Sequence, residues 1–484
     1  MRTRRWRELL VEPARPDAIR NHPVAPWLAV GTVCIGAFMG QLDASIVTLA
    51  FPTLEHSFHA TLSGVQWVGL TYLLVLVGLV AAVGRVADMV GRKLLYTYGF
   101  VVFIVGSALC AVAPSLVALD IFRVIQGVGA AMLQANSVAI IAASVPADRL
   151  GRAVGLQGTA QALGLSLGPA VGGLLIAAAG WRLIFLINVP LGVLGVVLAR
   201  FLVPRSRNLS TRTRFDWLGL SLMVPAVCLF LLALSFGNER GWGTPVTVGE
   251  LLGATVLITA FVSYERRVTA PMIDLGLFSR PAFSAGIGSG LLSYLVMFGA
   301  LLVFPFFLEN ARHMSSSSTG LVLTVMPAVL AVVAPLSGRM ADRVGARPLT
   351  VCGMALSAAA FTAMALSHGS NAVLVGELAG LGAGLGLFTP PNNAAIMGAA
   401  PARQSGVASG VLNLTRGLGT SIGLAATGAV LASVAGSRVT DAVRTAHAFT
   451  VAVVFLAAVS FLALVIAAAR GAAQLSHAPE AVGG

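Results

Sequence analysis

Charge is what this 484-residue chain has least of: Asp, Glu, Lys and Arg make up 10% of it. That is too little polar surface to cover a water-soluble globule of this length. There is a single lysine, Lys93, and it follows Arg92, so no phosphate loop ending in Gly-Lys-Ser or Gly-Lys-Thr exists and an ATP-driven pump is excluded. Cysteine is also scarce. Cys34, Cys110, Cys228 and Cys352 fall in four separate apolar segments, which excludes a disulfide framework and a CxxC zinc site and reads as buried small hydrophobes. The seven histidines are scattered, and the one close pair, His56 and His59, reads as a solvated loop, so neither a metal centre nor an embedded hydrolase is expected.

What is present is apolar sequence, 57% of the chain. Runs of about 20 residues, each enough to cross a bilayer as a helix, recur fourteen times between the neighbourhoods of Ile35 and Val454. The net charge of +13 does not point to nucleic acid, because the basic residues are spread over short loops instead of gathering on one face. With the N-terminus in the cytoplasm, 24 Lys and Arg lie on that side against five on the other (Arg182, Arg240, Arg312, Arg438, Arg444). By the positive-inside rule both termini are expected in the cytoplasm. The first span follows six arginines with no small-residue cleavage site behind it and reads as a retained helix.

The polar phrase GRVADMVGRK (84–93) returns as GRMADRVGAR (338–347), which sets Asp342 254 residues after Asp88. The same offset carries Arg123 onto Glu377, and it carries ALGLSLGPAVGG (162–173) within one residue of GLGTSIGLAATG (417–428). Two six-helix halves related by such a repeat place a substrate site at their interface, near the membrane midplane. The expected organisation is a tail (1–26), a first six-helix bundle (27–204), a linker with two extra helices (205–280), a second bundle (281–470) and a tail (471–484). The Arg-rich stretch ARFLVPRSRNLSTRTRF (199–215) reads as the cytoplasmic entry to the linker.

Charges inside membrane helices default to functional residues. Asp43 is expected roughly 12 Å, and Arg123 and Glu377 roughly 10 Å, below the outer ends of their helices, so that all three could meet at one depth. Asp43 and Glu377 are then the available proton carriers. The fourth helix carries Asp120, Arg123, Gly127, Ala130, Gln134 and Ser137 at helical spacing, which suits a water-filled wall; its rival is a small-residue packing seam. In the loop phrase, Gly84 and Gly91 can supply tight backbone, Asp88 can cap a helix, and Arg85, Arg92 and Lys93 are expected to face anionic lipid. In the fifth helix Gly164, Gly168 and Gly172 recur every four residues, permitting close packing, with Pro169 kinking the helix. Trp181, Arg182 and Asn188 read as anchors at the outer interface. Arg416 matches no motif.

These residues resemble a known family. LDASIVTLAFP (42–52), GRVADMVGRK, RVIQGVGAA (123–131), GLSLGPAVGG (164–173) and WRLIFLINVPLG (181–192) together resemble the fourteen-helix drug:proton antiporters of the major facilitator superfamily. The resemblance implies an all-α membrane fold in which the first, fourth and twelfth helices line a central cavity. Asp43, Arg123, Gln126, Gln134 and Glu377 would there bind substrate and couple it to protons. It implies a conformational latch at Gly84, Asp88, Gly91 and Arg92, mirrored at Gly338, Asp342 and Gly345, and a leak-proof seam at Gly164, Gly168, Pro169, Gly172 and Gly173. It further implies a monomer in a bacterial cytoplasmic membrane that exports lipophilic cations, driven by the proton gradient without a cofactor. An exporter of one endogenous lipid or secondary metabolite is the alternative reading.

Overall fold

The computed structural model describes Glu12 and residues 14–20, 22–60, 62–206, 215–269, 271–314, 316–366, 370–401, 404–435 and 442–469. The described residues are helical, with no strand among them. The first half contains α1 (Ala25–Leu49), α2 (Leu62–Val90), α3 (Arg92–Ala111), α4 (Leu116–Ser144), α5 (Leu150–Ala179) and α6 (Asn188–Leu202). Two further helices follow, α7 (Trp217–Arg240) and α8 (Pro245–Glu265). The second half repeats the first as α9 (Pro281–Phe306), α10 (Ser316–Val344), α11 (Ala346–Leu366), α12 (Asn371–Ala399), α13 (Ser405–Ala435) and α14 (Ala442–Ala469).

The ends of these helices follow local chemistry. Ser115 opens α4 by accepting from the Ala118 N–H at 3.2 Å, and Asp216 opens α7 by accepting from Gly219 at 2.8 Å. The chain turns between α2 and α3 at Gly91 (φ +127°) and between α10 and α11 at Gly345 (φ +83°). Both sit where only glycine is unstrained, so Gly91 supplies the tight backbone expected of it.

Among the described residues twelve helices are long and apolar enough to cross a membrane. This is short of the fourteen read from the sequence. The two long helices outside that set are α5 and α13. Each packs most extensively against one helix of its own half and one of the other: α5 between α1 and α10, α13 between α9 and α2. A Cβ on Gly164 would lie 2.5 Å from the Phe38 carbonyl of α1, and one on the corresponding Gly419 would lie 2.6 Å from the Leu291 carbonyl of α9. The internal repeat is therefore a repeat of packing. One buried apolar cluster, around Tyr96, Phe100 and Phe103, fills the first half and continues into the second through Ile396, Met397, Val407 and Val411, and another, around Phe304, Phe361 and Leu385, lies within the second half. α7 leans on α2 and α13, and Asn238 donates to the Ala425 carbonyl at 3.2 Å. Of the cysteines, Cys110 is buried but Cys352 is exposed, so not all four are core residues.

Candidate functional site

The structure brings Asp43 and Arg123 together but not Glu377. Arg123 Nη1 lies 2.7 Å from Asp43 Oδ2, and both side chains are at most 1% exposed. Asp43 Oδ1 accepts from Gln126 Nε2 at 2.9 Å and from Asn188 Nδ2 at 2.8 Å. Arg123 also donates to the Val68 carbonyl at 2.9 Å and to Gln126 Oε1 at 2.6 Å, while its guanidinium lies over the Tyr72 ring at 4.2 Å. Gln126 Nε2 reaches Ser107 at 2.7 Å. Five helices thus contribute to the cluster, and the carboxylate itself accepts from donors on α4 and α6. A buried pair of opposite charges is sustained when further hydrogen bonds meet it, and here both Asp43 oxygens accept while Arg123 donates from Nε and Nη1.

Glu377 is half-buried on α12 and is not a partner of Asp43 or Arg123, so depth along the helices did not predict contact. Gln134 is half-buried and its carbonyl accepts from Asn413 of the second half at 2.9 Å. The small stripe on α4 is a packing seam over this stretch: Gly127 and Ala130 are buried, and a Cβ on Gly127 would lie 3.1 Å from the Tyr72 carbonyl of α2. That corrects the expected water-filled wall. Asn188 is also corrected, from interfacial anchor to member of the Asp43 cluster, and Trp181 beside it is 3% exposed. An asparagine inside an apolar run was the available signal, since an unpaired buried amide is costly.

On the face that carries the N-terminus, two acids cross between the halves. Asp88, near the end of α2, is fully buried and accepts from the Gly406 and Val407 N–H groups, each at 3.0 Å, at the start of α13. Asp342, near the end of α10, accepts from Gly151 at 2.8 Å and Arg152 at 3.1 Å, at the start of α5. Each half therefore caps a helix of the other, where free N–H groups and the helix dipole favour a carboxylate. Gly84 and Gly338 belong to these crossings and not to tight loops: a Cβ on Gly84 would run into the Gly406 carbonyl, and one on Gly338 into that of Gly151.

Arg92 adds an ion pair to the first cap, with Nη2 2.6 Å from Asp88 Oδ1. Arg85, Arg92 and Lys93 are all buried, against the expectation that they face lipid. The reason is a cover formed by the tail and the linker. Glu12 accepts from the Leu94 N–H at 3.1 Å and from Ser206 N–H at 2.6 Å, and Ser206 Oγ accepts from the Arg92 N–H at 2.8 Å.

The glycine seam of α5 lies on α1. A Cβ on Gly168 would overlap the Ser45 hydroxyl; Gly172 is buried, Gly173 is exposed, and the side chain of Pro169 lies outside the described residues. Gly168→Leu is expected to stop transport while the protein still inserts, since overpacking at a helix crossing costs about 1–3 kcal/mol and displaces backbone. Transport assays beside membrane-fraction blots check this, and normal transport by the variant removes the seam from the mechanism.

Between the halves lies a cavity of ≈ 20 Å³, room for about one water. Its polar lining comes from Gln157 and Gln161 of α5, Tyr294 of α9, Asn393 of α12, and Asn413 and Arg416 of α13. Asp43 and Glu377 are not part of it. The expectation of one shared site for proton and substrate is thereby corrected: the acid of α1 is neutralised within packed protein, and this cavity has no carboxylate on its walls.

The chain matches the Major Facilitator Superfamily over residues 33–289 and again over 286–481, one match to each half. It is 35% identical over 401 residues to the multidrug resistance protein Stp of Mycobacterium tuberculosis, covering 82% of this chain and 74% of that one. It is 32% identical over 401 residues to the riboflavin transporter RibZ of Clostridioides difficile, covering 82% and 87%. The solved structure of the human organic anion transporter MFSD10 superposes with a TM-score of 0.66 over 92% of this chain and 100% of that one, at 15% identity, a likeness of fold alone. Duplicated halves crossing at reciprocal caps, read with these matches, identify a multi-pass membrane transporter and not an enzyme: the chain belongs to the Major Facilitator Superfamily.

Proposed function

We propose that the chain is a proton-coupled antiporter that exports lipophilic small molecules across a bacterial cytoplasmic membrane by alternating access. In this reading all fourteen long helices span the bilayer, both termini lie in the cytoplasm, and the monomer is the working unit. The observation that carries it is the reciprocal pair of caps at Asp88 and Asp342. They close one face of the molecule with bonds between the halves, and such bonds must break if the halves rock apart. Since that face bears the N-terminus, the conformation described is the one sealed toward the cytoplasm. The Asp43 cluster is the proton site, because it holds a carboxylate at membrane depth whose partners come from two other helices, α4 and α6. The drug-export part of the reading draws on the similarity to Stp.

In this scheme the proton acts at a distance from the substrate. Protonating Asp43 removes the charge that holds Arg123, Gln126 and Asn188 in place, and α1, which carries Asp43, packs on α5, which lines the cavity. A dye-efflux assay on cells overproducing the protein, with and without an uncoupler, tests the coupling. Efflux is expected to collapse with the gradient, and efflux that survives its collapse sinks the proposal.

A further inference from the structure

We propose that the cavity between the halves binds organic anions: mostly apolar compounds carrying a carboxylate, sulfonate or phenolate that Arg416 receives. The inference rests on the transporter reading above and replaces the lipophilic cation expected from sequence.

Arg416 lies eleven residues into a 31-residue helix, roughly 16 Å from its start, and so at membrane depth. Among the described residues it makes no hydrogen bond or ion pair; it lies over the Tyr294 ring at 5.7 Å and within electrostatic range of Tyr72, neither of which carries a negative charge to pair with it. Arg123, the other arginine inside a helix bundle, is neutralised by Asp43 at 2.7 Å. A guanidinium offers five donors and no acceptor, so whatever satisfies Arg416 must bring acceptor oxygens, and a planar oxyanion can take two of its N–H groups at once.

The surroundings supply no counter-ion. Gln157, Gln161, Tyr294, Thr389, Asn393 and Asn413 are neutral, and the rest of the wall beside Arg416 is apolar, including Val138, Val154 and Leu412. The repeat sharpens the point. Gln161 stands at the position of the first half that corresponds to Arg416, and both line the same cavity. One half contributes a neutral amide where the other contributes a cation, which leaves the site with net positive charge. In low dielectric that charge attracts an anion and repels a cation far more strongly than it would in water. An intramembrane arginine without a partner is a costly feature to keep, and a ligand oxyanion removes the cost. The cavity in this closed form is too small for an organic molecule, so the anion enters when the halves part.

The test compares two dyes on one xanthene core, anionic fluorescein and cationic rhodamine 123, by equilibrium dialysis against the purified full-length protein near neutral pH. No proton gradient is present, so failure of the coupling proposal leaves this result readable. Fluorescein is expected to bind about tenfold or more tighter than rhodamine 123. Arg416→Gln is expected to erase that preference and Arg416→Lys to retain part of it. Should Arg416→Gln fail to fold, Asn393→Asp serves instead, since a carboxylate placed in the same wall should weaken fluorescein and strengthen rhodamine 123. Equal binding of both dyes, binding of neither, tighter binding of rhodamine 123, or a ratio unmoved by the folded variants overturns the proposal.

Discussion

Asp43→Asn is expected to abolish proton-driven export and to destabilise the first half at the same time. The three groups that meet the carboxylate are all donors: Arg123 Nη1 on Oδ2, and the Gln126 and Asn188 amides on Oδ1. An asparagine presents an NH₂ toward one side or the other, so a donor faces a donor in either rotamer. It also leaves the Arg123 charge without its partner in packed protein. Removing one member of a buried pair costs about 3–5 kcal/mol. Asn188→Ala takes away one neutral donor and leaves the ion pair intact, a loss of about 1 kcal/mol. Thermal unfolding in detergent orders the two variants, and proton-dependent dye release in vesicles reads the function. Glu377 lies outside this network. Full export by Asp43→Asn removes this carboxylate from the coupling step.

Asp88→Ala is expected to open the face that bears the N-terminus. The substitution deletes two caps on α13 and strands Arg92, which is 6% exposed. A loss of about 3–5 kcal/mol from the closed form is enough to move a two-state equilibrium by more than a hundredfold. Asp342→Ala should do less, about 1–2 kcal/mol. Ala346 occupies the position where the first repeat has Arg92, so the second cap has no ion pair to lose. A membrane-impermeant thiol reagent applied from that face reports opening through Gln157→Cys in a background where the four cysteines are serine. Labelling should be fastest with Asp88→Ala, slower with Asp342→Ala and slowest with neither. Equal rates in all three would mean that the caps do not hold the face shut.

The unequal caps and the unequal cavity walls have a common origin. A duplicated fold fixes where the helices cross, because backbone contacts such as Gly84 on Gly406 and Gly151 on Gly338 tolerate little besides glycine. Side chains beside those crossings are free to differ. Arg92 against Ala346 sets the strength of the two caps, and Gln161 against Arg416 sets the charge of the cavity. The proposed transport asymmetry therefore lives in a few substitutions on a symmetric frame.

Read alone, the sequence determined the membrane class, the two-half repeat and the two acids near the ends of α2 and α10. Those follow from composition and from phrases whose meaning is local: apolar length, glycine at a turn, a carboxylate suited to a helix start. It did not reveal that Asp88 caps α13, that Asn188 reaches Asp43 across 145 residues of chain, or that Glu377 stands apart from both. It also placed Arg92 and Lys93 toward lipid, when the tail and linker fold over them. Such facts depend on which helix faces each side chain, and on rotation and depth together. Helical periodicity gives a side chain's bearing on its own axis, but the neighbour it meets there is decided only when the helices pack.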